Sequence, residues 1–174
     1  MKNYILIDLS YFIFYRYYAL IGWWKLAKED DPLGIPIENE EFVEKFKKTF
    51  IDKLKEIPKK LKLESKSKSK SEPKNYTIIV ASDCPRQKIW RHNYGEKYKE
   101  NRVYDDGFLG GPFFKLGFDI IDELKIVRLS HRFLEGDDCI AIFAKDLLQV
   151  NPEYRVFIVA NDMDYLQLAS EQIK

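Results

Sequence analysis

Four short segments of the chain read as β-strands. Residues 4–7 and 77–81 are continuous apolar runs rich in β-branched side chains, which is typical of strands buried on both faces. Residues 125–129 and 155–159 follow later in the chain with a similar pattern. A tentative fifth strand lies at residues 171–173.

The segments between these strands have helical periodicity. An aromatic run follows Ser10, which we expect to be its N-cap, and should reach about Gly22. Residues 113–124 and 139–148 are amphipathic in the same way. From residue 40 a single apolar stripe recurs at three- and four-residue steps, formed by Phe42, Phe46, Phe50, Leu54, Ile57 and Leu61. Alternating strands and helices predict an α/β fold with a central, mostly parallel sheet flanked by helices.

Length and composition set further limits. With 174 residues, of which 45% are hydrophobic and 15% aromatic, the chain can bury one core, so residues 1–174 should form a single domain. The formal net charge of +1 gives no overall attraction to polyanions. The two cysteines and two histidines lack metal-ligand spacing, which argues against zinc.

No segment suggests a membrane protein. The most apolar stretch, residues 11–24, is interrupted by Arg16 and is too short to cross a bilayer, and Asp8 lies too early for a signal peptide. We therefore expect a soluble, intracellular protein with no membrane partner, in either the nucleus or the cytoplasm.

Residues 64–75 form a Lys/Ser-rich segment. Between Lys45 and Lys74 there are twelve lysines and four acids, and residues 65–71 contain no apolar side chain to bury. A flexible, solvated loop is the favoured interpretation; tracking a phosphate backbone or serving as a localisation signal are the alternatives.

Seven acids follow the predicted strands or begin the helix after one. Because the carboxyl ends of parallel strands meet at one edge of a sheet, these side chains should form an acidic rim. Clustered carboxylates recruit cations, and their hard oxygens select magnesium, manganese or calcium. Any one of them could instead be a helix cap. The seven are Asp8, Asp83, Glu135, Asp137, Asp138, Asp162 and Asp164.

A basic block interleaved with aromatic residues follows Asp83. Cations neutralise phosphates while flat rings stack on bases, so this composition suits single-stranded nucleic acid. An ordinary amphipathic helix with a charged face is the alternative interpretation. The block contains Arg86, Lys88, Trp90, Arg91, Tyr94, Lys97, Tyr98, Lys99 and Arg102.

Five motifs, in this order, resemble those of the flap-endonuclease-like 5′ nucleases. They lie at residues 7–10, 80–83, 91–102, 135–138 and 162–168, although Cys84 and Asn161 stand where the family has glycine. The resemblance implies a PIN-like fold and a metal-dependent, structure-selective 5′ nuclease, acting as exonuclease or flap endonuclease in DNA replication, repair or recombination. It also implies a monomer, two Mg2+ ions with Mn2+ as a substitute, and DNA substrates with single-stranded 5′ ends or flaps.

The same resemblance implies individual roles. Asp83, Glu135 and Asp137 would hold one ion, with Asp8 acting through water, and the other ion would lie between Asp138, Asp162 and Asp164. Lys99, Arg91 and Arg102 would be catalytic, by positioning or polarising the phosphate. Nucleic acid would contact Arg86, Lys88, Trp90, Lys97 and Tyr98.

The resemblance also predicts the domain layout. Residues 91–120 would be an arch-like region that threads or clamps a 5′ end. The chain stops before the further aspartate and the helix-hairpin-helix part of the family, so we expect it to lack that C-terminal part.

Three alternatives remain. A PIN-type ribonuclease would share the sheet and the acidic rim, but such proteins are typically shorter and lack the basic aromatic block. A haloacid-dehalogenase-like phosphatase needs an acid where this chain has Ser10. The third alternative is a catalytically incomplete DNA-binding or scaffolding module.

Overall fold

A four-stranded sheet lies at the centre of the fold. A computed structural model of the chain describes residues 2–64, 74–94, 98–99 and 107–174. Strands β1 (Asn3–Asp8), β2 (Tyr76–Ala81), β3 (Val127–Leu129) and β4 (Arg155–Val159) pair in the order β3-β2-β1-β4, and every pairing is parallel. The predicted α/β class with a parallel sheet is confirmed.

Helices cover both faces of this sheet. The helices α1 (Leu9–Ala27), α2 (Glu40–Lys60) and α3 (Gly111–Glu123) share one core with Ile5 and Ile7 of β1. Helix α4 (Gly136–Val150) packs on the other face, in a second core with Tyr4 and Leu6. Successive residues of β1 thus point to opposite cores, which explains why the strand is apolar throughout. Short 3-10 segments lie at Pro36–Glu38, Arg86–Lys88, Trp90–Tyr94 and Met163–Leu168.

The start and end of α1 differ from the sequence prediction. Asp8, not Ser10, is the N-cap, because the Asp8 carboxylate accepts a hydrogen bond from the Tyr11 backbone N–H at 3.0 Å. The helix also continues through Gly22 to Ala27. Trp24, only 1% exposed, anchors this extension and donates from its indole N–H to the Asp31 carbonyl at 3.0 Å.

Strand β3 is shorter than predicted. It begins at Val127 because α3 closes with Lys125 in the left-handed region, at φ 55°, and the Ile126 N–H donates to the Ile121 carbonyl at 3.1 Å. Residues 125 and 126 therefore belong to the helix end. The predicted apolar stripe of α2 is confirmed, with Phe42, Phe46, Phe50, Leu54 and Ile57 buried. Of the tentative strand at 171–173, one parallel bridge forms, between Val156 and Ile173.

Several predicted segments lie partly outside the described residues. These are residues 65–73 of the Lys/Ser segment, and residues 95–97 and 100–106 of the arch-like region, which include Lys97 and Arg102. In the basic block, the described residues 86–94 form two 3-10 segments rather than an amphipathic α-helix. Among the described residues, no helix combines the length and apolar character that spanning a membrane requires.

Candidate metal centre

Three chain segments meet at the carboxyl edge of the sheet. Asp8 is the last residue of β1, and Asp83 lies two residues beyond β2. Glu135 is the N-cap of α4, the helix that packs on the face of the sheet opposite to α1, α2 and α3. Because β1 and β2 are parallel neighbours in register, with Asp8 beside Ala81, their ends deliver these acids to the same edge.

An acidic cluster forms around the first turn of α4. It consists of Glu135, Asp137 and Asp138, each of which offers a carboxylate oxygen within 4.8 Å of the others. Glu135 and Asp138 also form a capping box, in which the Glu135 N–H donates to Asp138 Oδ2 at 3.1 Å. Capping therefore accounts for Glu135 and Asp138, whereas among the described residues Asp137 accepts only from the backbone N–H of Asp138, at 2.7 Å.

Two cations of the protein neutralise the acidic cluster. Lys99 Nζ lies 2.6 Å from Glu135 Oε1, and Arg91 Nη1 lies 2.8 Å from Glu135 Oε2. The Arg91 guanidinium also bonds both oxygens of Asp138, with Nη2 at 2.7 Å from Oδ1 and Nη1 at 2.9 Å from Oδ2. Such fork-shaped pairing is the strongest form of carboxylate recognition by a side chain.

Two aromatic residues of the basic block donate to the same carboxylates. The Tyr98 hydroxyl donates to Glu135 Oε2 at 2.7 Å, and the Trp90 indole N–H donates to Asp138 Oδ2 at 3.0 Å. Burial works to lower the pKa of Lys99, but its bonds to Glu135 and Tyr98 outweigh burial and raise it. Four residues of the block, Trp90, Arg91, Tyr98 and Lys99, therefore contact the acidic cluster.

Asp83 connects the strand edge to two helices. Its Oδ1 accepts from the Gly136 backbone N–H at 2.7 Å, and its Oδ2 accepts from the Ser10 hydroxyl at 2.7 Å. A Cβ at Gly136 would lie 3.2 Å from Asp83 Oδ1, so the small residue allows this close approach. Asp8 Oδ2 accepts a longer hydrogen bond, at 3.3 Å, from the Tyr165 hydroxyl.

The electrostatics of the site favour an added positive charge. Burial raises the pKa of Asp8, and the charges of Asp83 and Asp137 raise it further. Burial likewise raises the pKa of Asp137, with further increases from Asp138 and Glu135. A raised pKa means that burial and the neighbouring carboxylates destabilise the ionised form of each acid, and a bound cation would offset that repulsion.

Asp162 and Asp164 are placed differently. Both are exposed, and Asp162 Oδ1 caps the last 3-10 segment by accepting from the Asp164 N–H at 2.9 Å. Among the described residues, no hydrogen bond or ion pair joins them to the acidic cluster. The connection from this segment to the site is Tyr165, which sequence reasoning missed although it lies inside the 162–168 motif.

The remaining described residues of the basic block lie at the margin. Arg86 Nη2 donates to the Lys99 carbonyl at 2.8 Å, which supports the position of Lys99. Lys88 is exposed. Ser10, the second residue that sequence reasoning missed as part of the site, could have been found from its position in the first turn after Asp8. The side chains of the acidic cluster, Asp8 and Asp83 all offer carboxylate oxygens as metal ligands, a donor set that fits a hard divalent cation.

Several solved structures from bacteriophage T5 resemble this fold. The T5 D15 protein co-crystallised with metal ions matches with a TM-score of 0.58 at 13% identity, over 99% of this chain and 54% of that one. T5 5′-exonuclease with bound zinc matches with a TM-score of 0.52 at 14% identity, over 99% and 54%. The T5 D15 flap endonuclease in a pseudo-enzyme-product complex with DNA and metal ions matches with a TM-score of 0.53 at 14% identity, over 99% and 53%. At this identity the likeness shows the shared fold.

The chain spans about half the length of these T5 proteins. No curated protein matches it significantly. The family profile described as the 5′-3′ exonuclease N-terminal resolvase-like domain matches residues 3–174, nearly the whole chain. The chain therefore belongs to the family of 5′-3′ exonuclease N-terminal resolvase-like domains, within the 5′ nucleases.

Proposed function

We propose that the chain is the N-terminal, metal-binding part of a structure-selective 5′ nuclease that hydrolyses DNA phosphodiesters. The observation that carries this proposal is the acidic cluster, with Asp83 and Asp8 at neighbouring strand ends and Lys99 and Arg91 in contact with its carboxylates. Such a site combines metal ligands with cations that can hold a phosphate.

Mg2+ is the ion that we propose, in two positions, with Mn2+ as a substitute. Asp83, Glu135 and Asp137 would hold one ion with Asp8 behind a water, and the exposed Asp162 and Asp164 would join Asp138 at the other. Ions held in these positions would supply Lewis-acid catalysis to phosphodiester hydrolysis, and these carboxylates would hold them beside the scissile phosphate.

Lys99 and Arg91 have a second role in this proposal. They are 25% and 27% exposed at the side chain, so both can be reached from the substrate side. When divalent ions take over the neutralisation of Glu135 and Asp138, these two cations become available to the phosphate. Lys99 would then stabilise charge on the reacting phosphate, with Arg91 and Arg102 positioning it.

The DNA substrate would carry a single-stranded 5′ end or flap. Arg86, Lys88 and Lys97 would contact its backbone, residues 91–120 would form the arch that holds the 5′ end, and Trp90 and Tyr98 would contribute ring surface. The T5 flap endonuclease whose structure contains DNA and metal ions supports DNA as the substrate class. Replication, repair or recombination would supply such ends, and the chain would act as a monomer.

Cleavage of a labelled 5′-flap DNA tests the proposal directly. With Mg2+ the chain should cut the flap strand, and Asp137→Asn should abolish cutting, because the substitution removes one ligand charge from the acidic cluster. Asp146→Asn is the matched control, since Asp146 is an exposed acid on the same helix. Equal rates in both variants would exclude the acidic cluster as the metal site.

The variant Lys99→Ala distinguishes a role in the cleavage step from a role in DNA binding. We expect it to slow single-turnover cleavage more than it weakens DNA binding, because Lys99 acts on the reacting phosphate. Equal loss of rate and affinity would reduce Lys99 to a DNA contact. The same assay with single-stranded RNA of equal length tests a PIN-type ribonuclease, and DNA binding without cleavage would indicate an incomplete binding module.

A further inference from the structure

A separate groove lies at the end of the sheet opposite the acidic cluster. It has a volume of about 590 Å³ and lies between the second half of α2, the end of α3 and the start of β2. Its apolar lining includes Leu54, Pro58, Ile78 and Ile126. We call it the basal groove. The β2 residues that line it, residues 76–78, lie about 10–17 Å from the carboxyl end of the strand at Ala81.

The sheet has an open edge beside the basal groove. Strand β3 pairs with β2 only from Ile79 onward, so residues 76–78 have no strand on that side within the described chain. Two apolar side chains are exposed here, Val127 at 56% and Leu124 at 37%. At an unpaired sheet edge next to exposed apolar side chains, an extended peptide can bind as an additional strand.

The rim of the basal groove is basic. Lys55, Lys59, Lys74 and Lys125 line it, all are exposed, and none of them forms an ion pair with another described residue. The single acid in the lining, Glu64, is held by a hydrogen bond from the Tyr76 hydroxyl. A positively charged rim of this kind attracts acidic partners and repels basic ones.

We propose that the basal groove binds an extended acidic peptide of a partner protein, one in which acidic residues alternate with large aliphatic ones. The period of two along an extended chain would direct its apolar side chains to the groove floor and its acids to the lysines. Nucleic acid fits less well, because the lining has a single aromatic ring, Tyr76, and Lys74 lies 5.6 Å from the centre of that ring. The distance to the acidic cluster leaves the nuclease site accessible while the partner is bound.

Fluorescence anisotropy with a defined peptide tests this proposal. The probe is a labelled heptapeptide of alternating Glu and Leu, and the two control peptides replace every Glu by Lys or every Leu by Ser. The full chain should bind the probe and neither control, and binding should weaken with salt because the contacts are partly ionic.

Variants then locate the binding. The double variant Lys55→Glu, Lys59→Glu should bind the probe about tenfold more weakly, since two favourable ionic contacts become unfavourable. Lys48→Glu with Lys145→Glu is the matched control, because it changes the net charge equally at exposed lysines elsewhere and should leave affinity unchanged. Val127→Asp should lower the affinity for the probe, because it removes an apolar contact and because the new carboxylate repels the acidic peptide.

Two results would overturn the proposal. One is a probe affinity that is the same in the groove pair and in the control pair. The other is an oligothymidine that displaces the probe and loses affinity with Lys55→Glu and Lys59→Glu, which would assign the groove to single-stranded DNA. Circular dichroism of each variant establishes that the fold is retained.

Discussion

Replacing Asp137 by Asn should stabilise the chain when divalent metal is removed. Asp137 is a half-buried carboxylate close to two others, and its pKa is raised by burial and by the charges of Asp138 and Glu135. An acid whose pKa is raised by folding opposes folding when it is ionised. The neutral amide removes that cost, while its oxygen can still accept the backbone N–H of Asp138.

The size of the effect follows from the geometry of the acidic cluster. Two unit charges 4.8 Å apart repel each other by about 3 kcal/mol at an effective dielectric constant of ~20. Solvent and the neighbouring Arg91 and Lys99 reduce this to about 1.5 kcal/mol. The N-terminus of α4 favours negative charge by about 0.5 kcal/mol, which the substitution gives up. A net gain of about 1 kcal/mol should raise the Tm by roughly 2–4 °C.

Thermal unfolding in chelator and in Mg2+ measures this effect. In chelator at neutral pH, Asp137→Asn should melt above the wild type, and the control Asp146→Asn should not. In Mg2+ the order should reverse, because a free ion concentration tenfold above Kd stabilises the wild type by about 1.4 kcal/mol and the variant much less. A variant that melts below the wild type in chelator, or that gains as much from Mg2+, would refute the reasoning.

The same comparison has a defined pH dependence. Because the folded-state pKa of Asp137 lies above its ordinary value, the folded protein holds this proton more tightly than the unfolded chain does. Wild-type stability from this group is therefore complete below the ordinary aspartate pKa of about 3.9 and is lost as the pH rises toward the folded-state pKa. The difference in Tm between variant and wild type should vanish in acid and be fully developed at neutral pH.

Three further predictions concern stability. Gly117→Ala should destabilise the fold by about 1–2 kcal/mol, although alanine has a better helix propensity than glycine, because the new Cβ would lie 2.6 Å from Ile13 Cγ1. Denaturant unfolding measures this loss, which should be smaller when the same substitution is made in an Ile13→Ala variant. Trp90→Phe should lower the Tm by roughly 2–4 °C in chelator, since it removes one donor to Asp138, and an unchanged Tm would show that Arg91 and the Glu135 N–H satisfy that carboxylate without it. Asn39→Ala should cost about 1 kcal/mol through the lost N-cap of α2, whereas Asn39→Asp should retain most of it in the same melts.

The fold could be predicted in outline because apolar patterns dominate it. Parallel strands buried on both faces leave continuous apolar runs, and the α2 stripe repeats over about four turns, from Phe42 to Ile57. The first and last residues of the helices and strands were harder to predict, because backbone geometry determines them. Ser10 and Asp8 are both good capping residues, and the choice of Asp8 depends on where β1 ends. Lys125 in the left-handed region shortens β3, and nothing in a lysine indicates that conformation.

The location of the acids was similarly predictable, since it follows from strand direction alone. Asp8, Asp83 and the acidic cluster reach one edge, as the strand ends indicated. The hydrogen bonds between the basic block and the acids were not predictable. Lys99 and Glu135 are 36 residues apart, and no local sequence pattern indicates a contact over that separation.

This pairing changes how the acidic site and the basic block should be understood. Acids close enough to share divalent ions repel one another in the absence of those ions, and a chain that has to fold first needs some other counter-charge. Arg91 and Lys99 provide it, each within 3 Å of a carboxylate of the acidic cluster. The same two cations are those that the nuclease proposal assigns to the phosphate. Removing either one should therefore cost stability in chelator as well as activity in Mg2+, a combination that a residue serving only as a DNA contact would not produce.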